Sequence, residues 1–202
     1  MTIGSAHRIP RALFPHTFLR ETAAVGICSM GAIVVRWHSG IKMSETSGTS
    51  AAIDVVKVDP SCEPAVRMAA ALWVEIQARY GFTAPDPFDP SSFAGPVGGF
   101  WIALDDAEPV GSIALTPLEA GSAELDVMYV APTHRRRGVA QALLAALETH
   151  ATTCGVTEIV LRAGDPQPEA LAFYRAVGFS RTERFGRWVD DATAVCLRKS
   201  LG

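Results

Sequence analysis

"THRRRGVAQALLAALETH", Thr133 to His150, sets three consecutive arginines and a glycine directly before a run of alanines and leucines with helical spacing. The start of a helix already carries a partial positive charge and favours anions. Crowding it with arginine implies a negative partner. Upstream, an apolar run ends near Val130, so the chain reads as strand, turn through Pro132 to Arg137, and helix from about Gly138. That order aims several unpaired backbone N–H groups at one point, a nest suited to phosphate. Gly138 removes a side chain where an anion must approach the backbone, Ala140 is nearly as small, and Arg136 and Arg137 stand where they can flank the anion. The competing reading is a solvated basic turn paired with surface carboxylates. The GxxxxGK[ST] phosphate loop is absent.

The charge is local. Of 202 residues, 49% are hydrophobic and 19% charged, with a net charge of -3, which describes one globular core rather than a polyelectrolyte. A nucleic-acid partner is not expected without a broad basic surface. Nor is a membrane partner, because no apolar run approaches the roughly 20 residues of a spanning helix. Cys28, Cys62, Cys154 and Cys196 are scattered with no zinc-ligand spacing, so reduced thiols, no metal and a cytoplasmic setting are expected. Residues 1–50 lack a sustained amphipathic period and are read as a poorly structured extension. They imitate a transit peptide, being basic and poor in acids, or else lie upstream of a start at Met43, which opens the polar stretch "MSETSGTSAA". The folded domain is placed at 51–202.

Within it, "IDVVKVD", Ile53 to Asp59, is a β-branched strand. Ser61 is placed to cap a helix that Gly81 stops, and Ala84 to Gly99, rich in proline and glycine, is a loop with at most a short helical turn. "FWIALDD", "VGSIALTPL" and "AELDVMYVAP" read as an antiparallel meander. Val139, Leu143, Ala146, Leu147 and His150 mark one helix face, and "TEIVLRA" is a buried strand. "PQPEALAFYRAVGF" is a helix closed by Gly178, and strands at about Arg181 to Trp188 and Ala192 to Lys199 end the chain. The fold class is mixed α+β.

Two segments carry a resemblance. Arg135-Arg136-Arg137-Gly138-Val139-Ala140 is similar to the (Gln/Arg)-x-x-Gly-x-(Gly/Ala) signature of the GNAT superfamily of acyl-CoA-dependent N-acyltransferases, and it stands between strand and helix as that family requires. "PEALAFYRAVGF" resembles the family's later helix, with Ala170, Tyr174, Gly178 and Phe179 in register and Gln167 where many members have Asn. The resemblance covers Ile53 to about Leu201. It implies a central, mostly antiparallel twisted sheet of about six to seven strands flanked by about four helices. It also implies that acetyl-CoA is bound, its diphosphate held by Arg135 to Ala140 and its pantetheine arm lying along Met128-Tyr129-Val130 like an added strand.

An amine of pKa about 10.4 is mostly protonated at pH 7, so acyl transfer to it calls for a base. The resemblance places that base at Glu124, with Asp126 two residues on along the same strand face as a rival. It gives the oxyanion to the backbone N–H of Met128 and the protonation of the leaving thiolate to Tyr174, which is also counted against the cofactor. His134 reads as a turn residue and His150 as a packing residue. Cys154 and Cys196 lack a base partner visible in sequence, which disfavours an acyl-cysteine route. Trp73, Tyr80, Phe82, Phe88, Phe185 and Trp188 are candidates to wall an acceptor pocket, several of them as core. The expected activity is direct acetyl transfer to a primary amine of a small molecule or protein by a monomer or homodimer. The alternative is a catalytically silent acyl-CoA-binding or regulatory module.

Overall fold

A computed structural model describes residues 34–36, 53–119 and 121–202; the expected extension over 1–50, with Cys28 and Met43, lies outside them apart from 34–36. One sheet organises the described residues. Its strands are β1 (Val34–Arg36), β2 (Asp54–Val58), β3 (Gly99–Asp105), β4 (Glu108–Pro117), β5 (Ser122–Val130), β6 (Glu158–Ala163), β7 (Ser180–Arg181) and β8 (Val195–Ser200). Their spatial order is β1-β2-β3-β4-β5-β6-β8-β7, antiparallel at every pairing except β5 with β6. The mixed, mostly antiparallel architecture is the one expected, with one strand more than anticipated.

Three α-helices accompany it: α1 (Glu63–Tyr80), α2 (Val139–Thr153) and α3 (Pro168–Ala176). The expected fourth is replaced, among the described residues, by short 3-10 turns at Pro90–Phe93, Pro132–His134 and Gly186–Trp188. Two local expectations are corrected. Ser61 does not cap α1: Cys62 is the N-cap residue, with no side-chain cap bond, while the Ser61 hydroxyl and N–H turn back to donate to Asp59 Oδ1 at 2.6 and 2.8 Å. The strand expected over Arg181 to Trp188 ends at Arg181. Beyond it Gly186 takes a left-handed φ of 47° and the chain turns, which an extended ladder does not accommodate.

The sheet divides the core in two. On one face α1 lays Ala65, Met68 and Ala69 against Phe100, Ile102 and Ala114, with Phe93 from the loop. On the other, α2 and α3 bury Val139, Leu143, Leu147, Leu171 and Tyr174 against Ile113, Leu115, Ala123, Leu125 and Leu161. Phe88 joins the α1-side packing, stacked on Phe93, and Trp73 meets Phe82 edge-on.

Leu143, fully buried at the centre of α2, tests the larger core. Leu143→Ala should lower unfolding free energy by about 2–5 kcal/mol, the usual cost of such a cavity. A urea titration should show a lower midpoint with an unchanged slope.

Candidate active site

Two irregularities of β5 create the site. Its parallel pairing with β6 runs from Ser122↔Glu158 to Leu125↔Leu161 and stops. From Asp126 to Val130 the edge away from β4 has no strand partner among the described residues. On the β4 side the register shifts between Ser112 and Ala114, and Val127 takes a φ of 49°. This is a β-bulge, which re-aims side chains and backbone. Ser112 Oγ donates to Val127 O at 2.9 Å, and Asp126 Oδ1 accepts the Val127 N–H at 2.9 Å.

The bulge breaks the strand's alternation. Ala123 and Leu125 pack with α2 and α3, leaving Glu124 and Asp126 toward α1. Val127 then also packs on the α1 side, with Tyr129, while Met128 and Val130 join the opposite face. The Ala131 N–H donates to Val110 O on β4, so by alternation the N–H groups of Met128 and Val130 point to the unpaired edge. Val130 O is already engaged there by Arg135 Nε at 2.9 Å.

Past β5 the chain makes the arginine turn. Arg136 has a φ of 62° and Gly138, the N-cap residue of α2, a φ of 84°. No side chain caps α2, and the space that a Gly138 Cβ would take is open. The leading N–H groups of Val139 and Ala140 lack intrahelical partners by helix geometry. The left-handed residues, the uncapped helix and the open approach all fit a bound diphosphate.

The arginines divide their work. Arg135 turns inward to Glu75 of α1, at 2.5 Å from Nη2. Arg79 contacts Glu75, at 2.7 Å, and Glu169 of α3, so one chain of ion pairs ties α1, the turn and α3. Arg137 pairs with Asp105 at 3.0 Å, and His134 reaches the same Oδ2 at 3.3 Å. His134 is thus tied to the β3–β4 hairpin rather than merely solvated.

Glu124 is buried, at 5% exposure. Its Oε1 accepts from Trp188 Nε1 at 2.8 Å and Arg187 Nη2 at 3.2 Å, leaving Oε2 without a described partner. Asp126 has both oxygens engaged, Oδ2 by Arg187 at 2.7 Å and Oδ1 by the Val127 N–H. Burial, and then the nearby Asp126 carboxylate, raise the Glu124 pKa above the ordinary value; Arg187 and Trp188 pull the other way. Such a group holds and releases protons closer to neutrality than a solvated glutamate.

Tyr174 approaches from the other face. It is buried between Phe173 and Phe179, and its pKa is raised by burial and then by Asp126. Its phenol therefore stays protonated near neutral pH and is a proton donor. Where β5 and β6 part, groups from both faces of the sheet come together.

Arg187 had no signal in the sequence, and Trp188 figured there only as a possible wall. A second layer was also missed. Arg162 of β6 stands 5.1 Å from the Trp188 ring centre, and its Nη2 is 3.3 Å from Asp191. Tyr80 donates to Gln167 Oε1 at 3.1 Å, so Gln167, at the position where the resemblance has Asn, holds the end of α1. Cys154, expected to lack a base, has His150 Nε2 at 3.5 Å, at the opposite end of α2 from the arginine turn.

The profile of the acetyltransferase (GNAT) family matches residues 66–179, and the chain belongs to that family. Over 99 residues it is 30% identical to N-acetyltransferase family 8 member 2 of Rattus norvegicus, a match covering 46% of this chain and 44% of that protein, so the chain spans less than half of that relative. Over 114 residues it is 30% identical to IAA acetyltransferase of Azospirillum brasilense, covering 56% of this chain and 74% of that protein. Among solved structures, a GNAT-family acetyltransferase from Staphylococcus aureus superposes with a TM-score of 0.63 at 18% identity, over 74% of this chain and 99% of that one. PaiA N-acetyltransferase from Thermoplasma acidophilum, in complex with coenzyme A, gives 0.60 at 19%, over 73% and 98%. No group of three or more His, Cys, Asp or Glu side chains able to hold a metal occurs among the described residues, and no helix there is long and apolar enough to cross a membrane.

The raised Glu124 pKa has a signed consequence. A folded pKa above the unfolded one means that folding favours the protonated carboxyl. Its stabilising contribution is full below the ordinary glutamate range and is lost as pH rises through the folded value. Unfolding free energies of wild type and Glu124→Gln, compared across that interval, should therefore show wild type losing ground as pH rises. Arg187→Ala should push the Glu124 titration, followed by carboxyl NMR, further upward.

Proposed function

We propose that this chain transfers an acetyl group from acetyl-CoA to a primary amine by direct attack in a ternary complex. The carrying observation is the unpaired stretch of β5, flanked by the free Oε2 of Glu124 on one face and the Tyr174 phenol on the other. The coenzyme A in the Thermoplasma relative supports the choice of cosubstrate.

In this reading the main chain from Arg136 to Ala140 receives the diphosphate, with Arg137 flanking it. Arg135 acts through structure, fastening the turn to Glu75 and Val130 O. Met128, Tyr129 and Val130 present their free edge to the pantetheine, and the Met128 N–H donates to the developing oxyanion. Glu124 takes the amine proton, directly or through water, since its second oxygen is unclaimed while both Asp126 oxygens are engaged. Tyr174, buried and protonated, returns a proton to the departing sulfur. The acceptor is a small-molecule or protein amine entering from the α1 side past Arg187 and Trp188, and the setting is cytoplasmic.

Thiol release from acetyl-CoA across a panel of amines tests this. Amine-dependent release is expected, and Tyr174→Phe should lower kcat by at least about a hundredfold while leaving CoA affinity by calorimetry near wild type. CoA binding without release for any amine would instead identify a silent acyl-CoA-binding module. Gly138→Glu, which adds a charged side chain beside the nest, should abolish CoA binding.

A further inference from the structure

The carboxyl end of α2 lies about 24 Å along the helix axis from Gly138. Three reactive side chains that the acetyltransferase reading does not use meet there. His150 and Cys154 are one helical turn apart, and Lys57 reaches them from β2. His150 Nε2 stands 3.4 Å from Lys57 Nζ and 3.5 Å from Cys154 Sγ, so an amine and a thiol share one ring nitrogen.

The segment leading into β3 holds this cluster in place. Cys154 Sγ meets the Pro96 carbonyl at 3.3 Å, His150 Nε2 the Val97 carbonyl at 3.1 Å and Lys57 Nζ the Gly98 carbonyl at 3.1 Å. Gly99 makes way for the lysine, since a Cβ there would lie 2.8 Å from Lys57 Cε. Trp101 packs edge-on to His150 with centroids 5.1 Å apart, and Lys57 Nζ lies 5.3 Å from its ring centre. Lys57 is exposed and Cys154 half-buried, so a small reagent reaches both.

Chemistry favours transfer between them. Burial lowers the Lys57 pKa, opposed by Cys154, and burial followed by Lys57 lowers that of His150, so both hold more of their nucleophilic or basic form than when solvated. The Cys154 thiol stands beside an imidazole and an amine, the neighbours that transfer from sulfur to nitrogen calls for. The remaining described lysine, Lys199, is tied to Glu148 at 2.6 Å and has no such neighbours.

We propose that Cys154 and Lys57 form an acyl-relay pair, accepting an acyl group from a small acyl thioester on sulfur and fixing it on the lysine as an amide. Cys154 Sγ attacks the thioester carbonyl; a new C–Sγ bond replaces the reagent's C–S bond, and the thiol proton is lost to water, which protonates the departing thiolate. Neutral Lys57 Nζ then attacks the same carbonyl. A C–N bond replaces the C–Sγ bond, one amine proton is lost to water, and the cysteine sulfur takes one back. The products are acyl-Lys57 and the released thiol, with Cys154 regenerated and no change of oxidation state.

The test incubates the full chain with S-acetyl-N-acetylcysteamine, which carries no diphosphate and so does not require the Gly138 turn. Peptide mass spectrometry follows Lys42, Lys57 and Lys199, the three lysines of the sequence. Acetylation of Lys57 should outpace that of Lys199 by at least about tenfold, an advantage of proximity. Cys154→Ser should erase the advantage, and Lys57→Arg should leave a hydroxylamine-sensitive acetyl group on Cys154. Equal rates at Lys57 in wild type and Cys154→Ser, or no acetyl on Cys154 in Lys57→Arg, overturns the proposal. Either result stands apart from whether amine-dependent thiol release occurs at the β5 site.

Discussion

The parting of β5 from β6 after Leu125 and Leu161 is the constraint on which the rest of the site depends. Up to that point the two strands spend their backbone groups on each other; beyond it five residues of β5 keep one edge in hand. Unsatisfied main-chain groups are costly when buried, so an opening of this kind persists in a folded chain where solvent or a ligand can complete it. The bulge at Val127 sharpens the effect. It turns Met128 to the face of Tyr174 and α2 while leaving Glu124 and Asp126 on the face of α1, so the strand presents side chains to both sides of the sheet where its pairing with β6 has ended.

Electrostatics then fixes what surrounds the opening. Glu124, Asp126 and Arg187 form a compact group in which one guanidinium spans two carboxylates. The Arg187 side chain is 46% exposed, so its attraction is screened and its partners are not locked in place. On the other flank, the Glu75–Arg135 pair engages one of three adjacent arginines and uses it to anchor the turn. What sets that turn apart is its left-handed residues and uncapped helix end more than its count of positive charges, since Arg135 and Arg137 are both held in ion pairs.

Much of the fold was legible because periodicity is a local signal. The meander, the helix after Gly138 and the helix through Tyr174 all stand where the spacing of apolar residues put them. Glu124 and Tyr174 were singled out through motif resemblance, and they stand on β5 and α3 respectively. What the sequence hid was long-range. Nothing near Arg135 announces Glu75, sixty residues away, nor does Glu124 announce Trp188 across sixty-four. The bulge was hidden as well, since Leu125-Asp126-Val127-Met128 reads as plain alternation, and only the shifted register against β4 shows two neighbours facing one way. The i, i+4 spacing of His150 and Cys154 was visible, but Lys57 reaches them only through the folded sheet.

The early end of β7 has a consequence for the site. β7 lies three strand spacings from β5, about 14 Å at the usual separation of hydrogen-bonded strands. Had the ladder with β8 continued to Trp188, the indole would have been fixed at the outer margin of the sheet, beyond the span of a hydrogen bond to Glu124. By leaving the plane after Arg181 and doubling back through Gly186, the chain carries indole and guanidinium across β8 and β6 to the carboxylates. The brevity of β7 thereby lets a segment from the far margin of the sheet clasp two carboxylates near its middle.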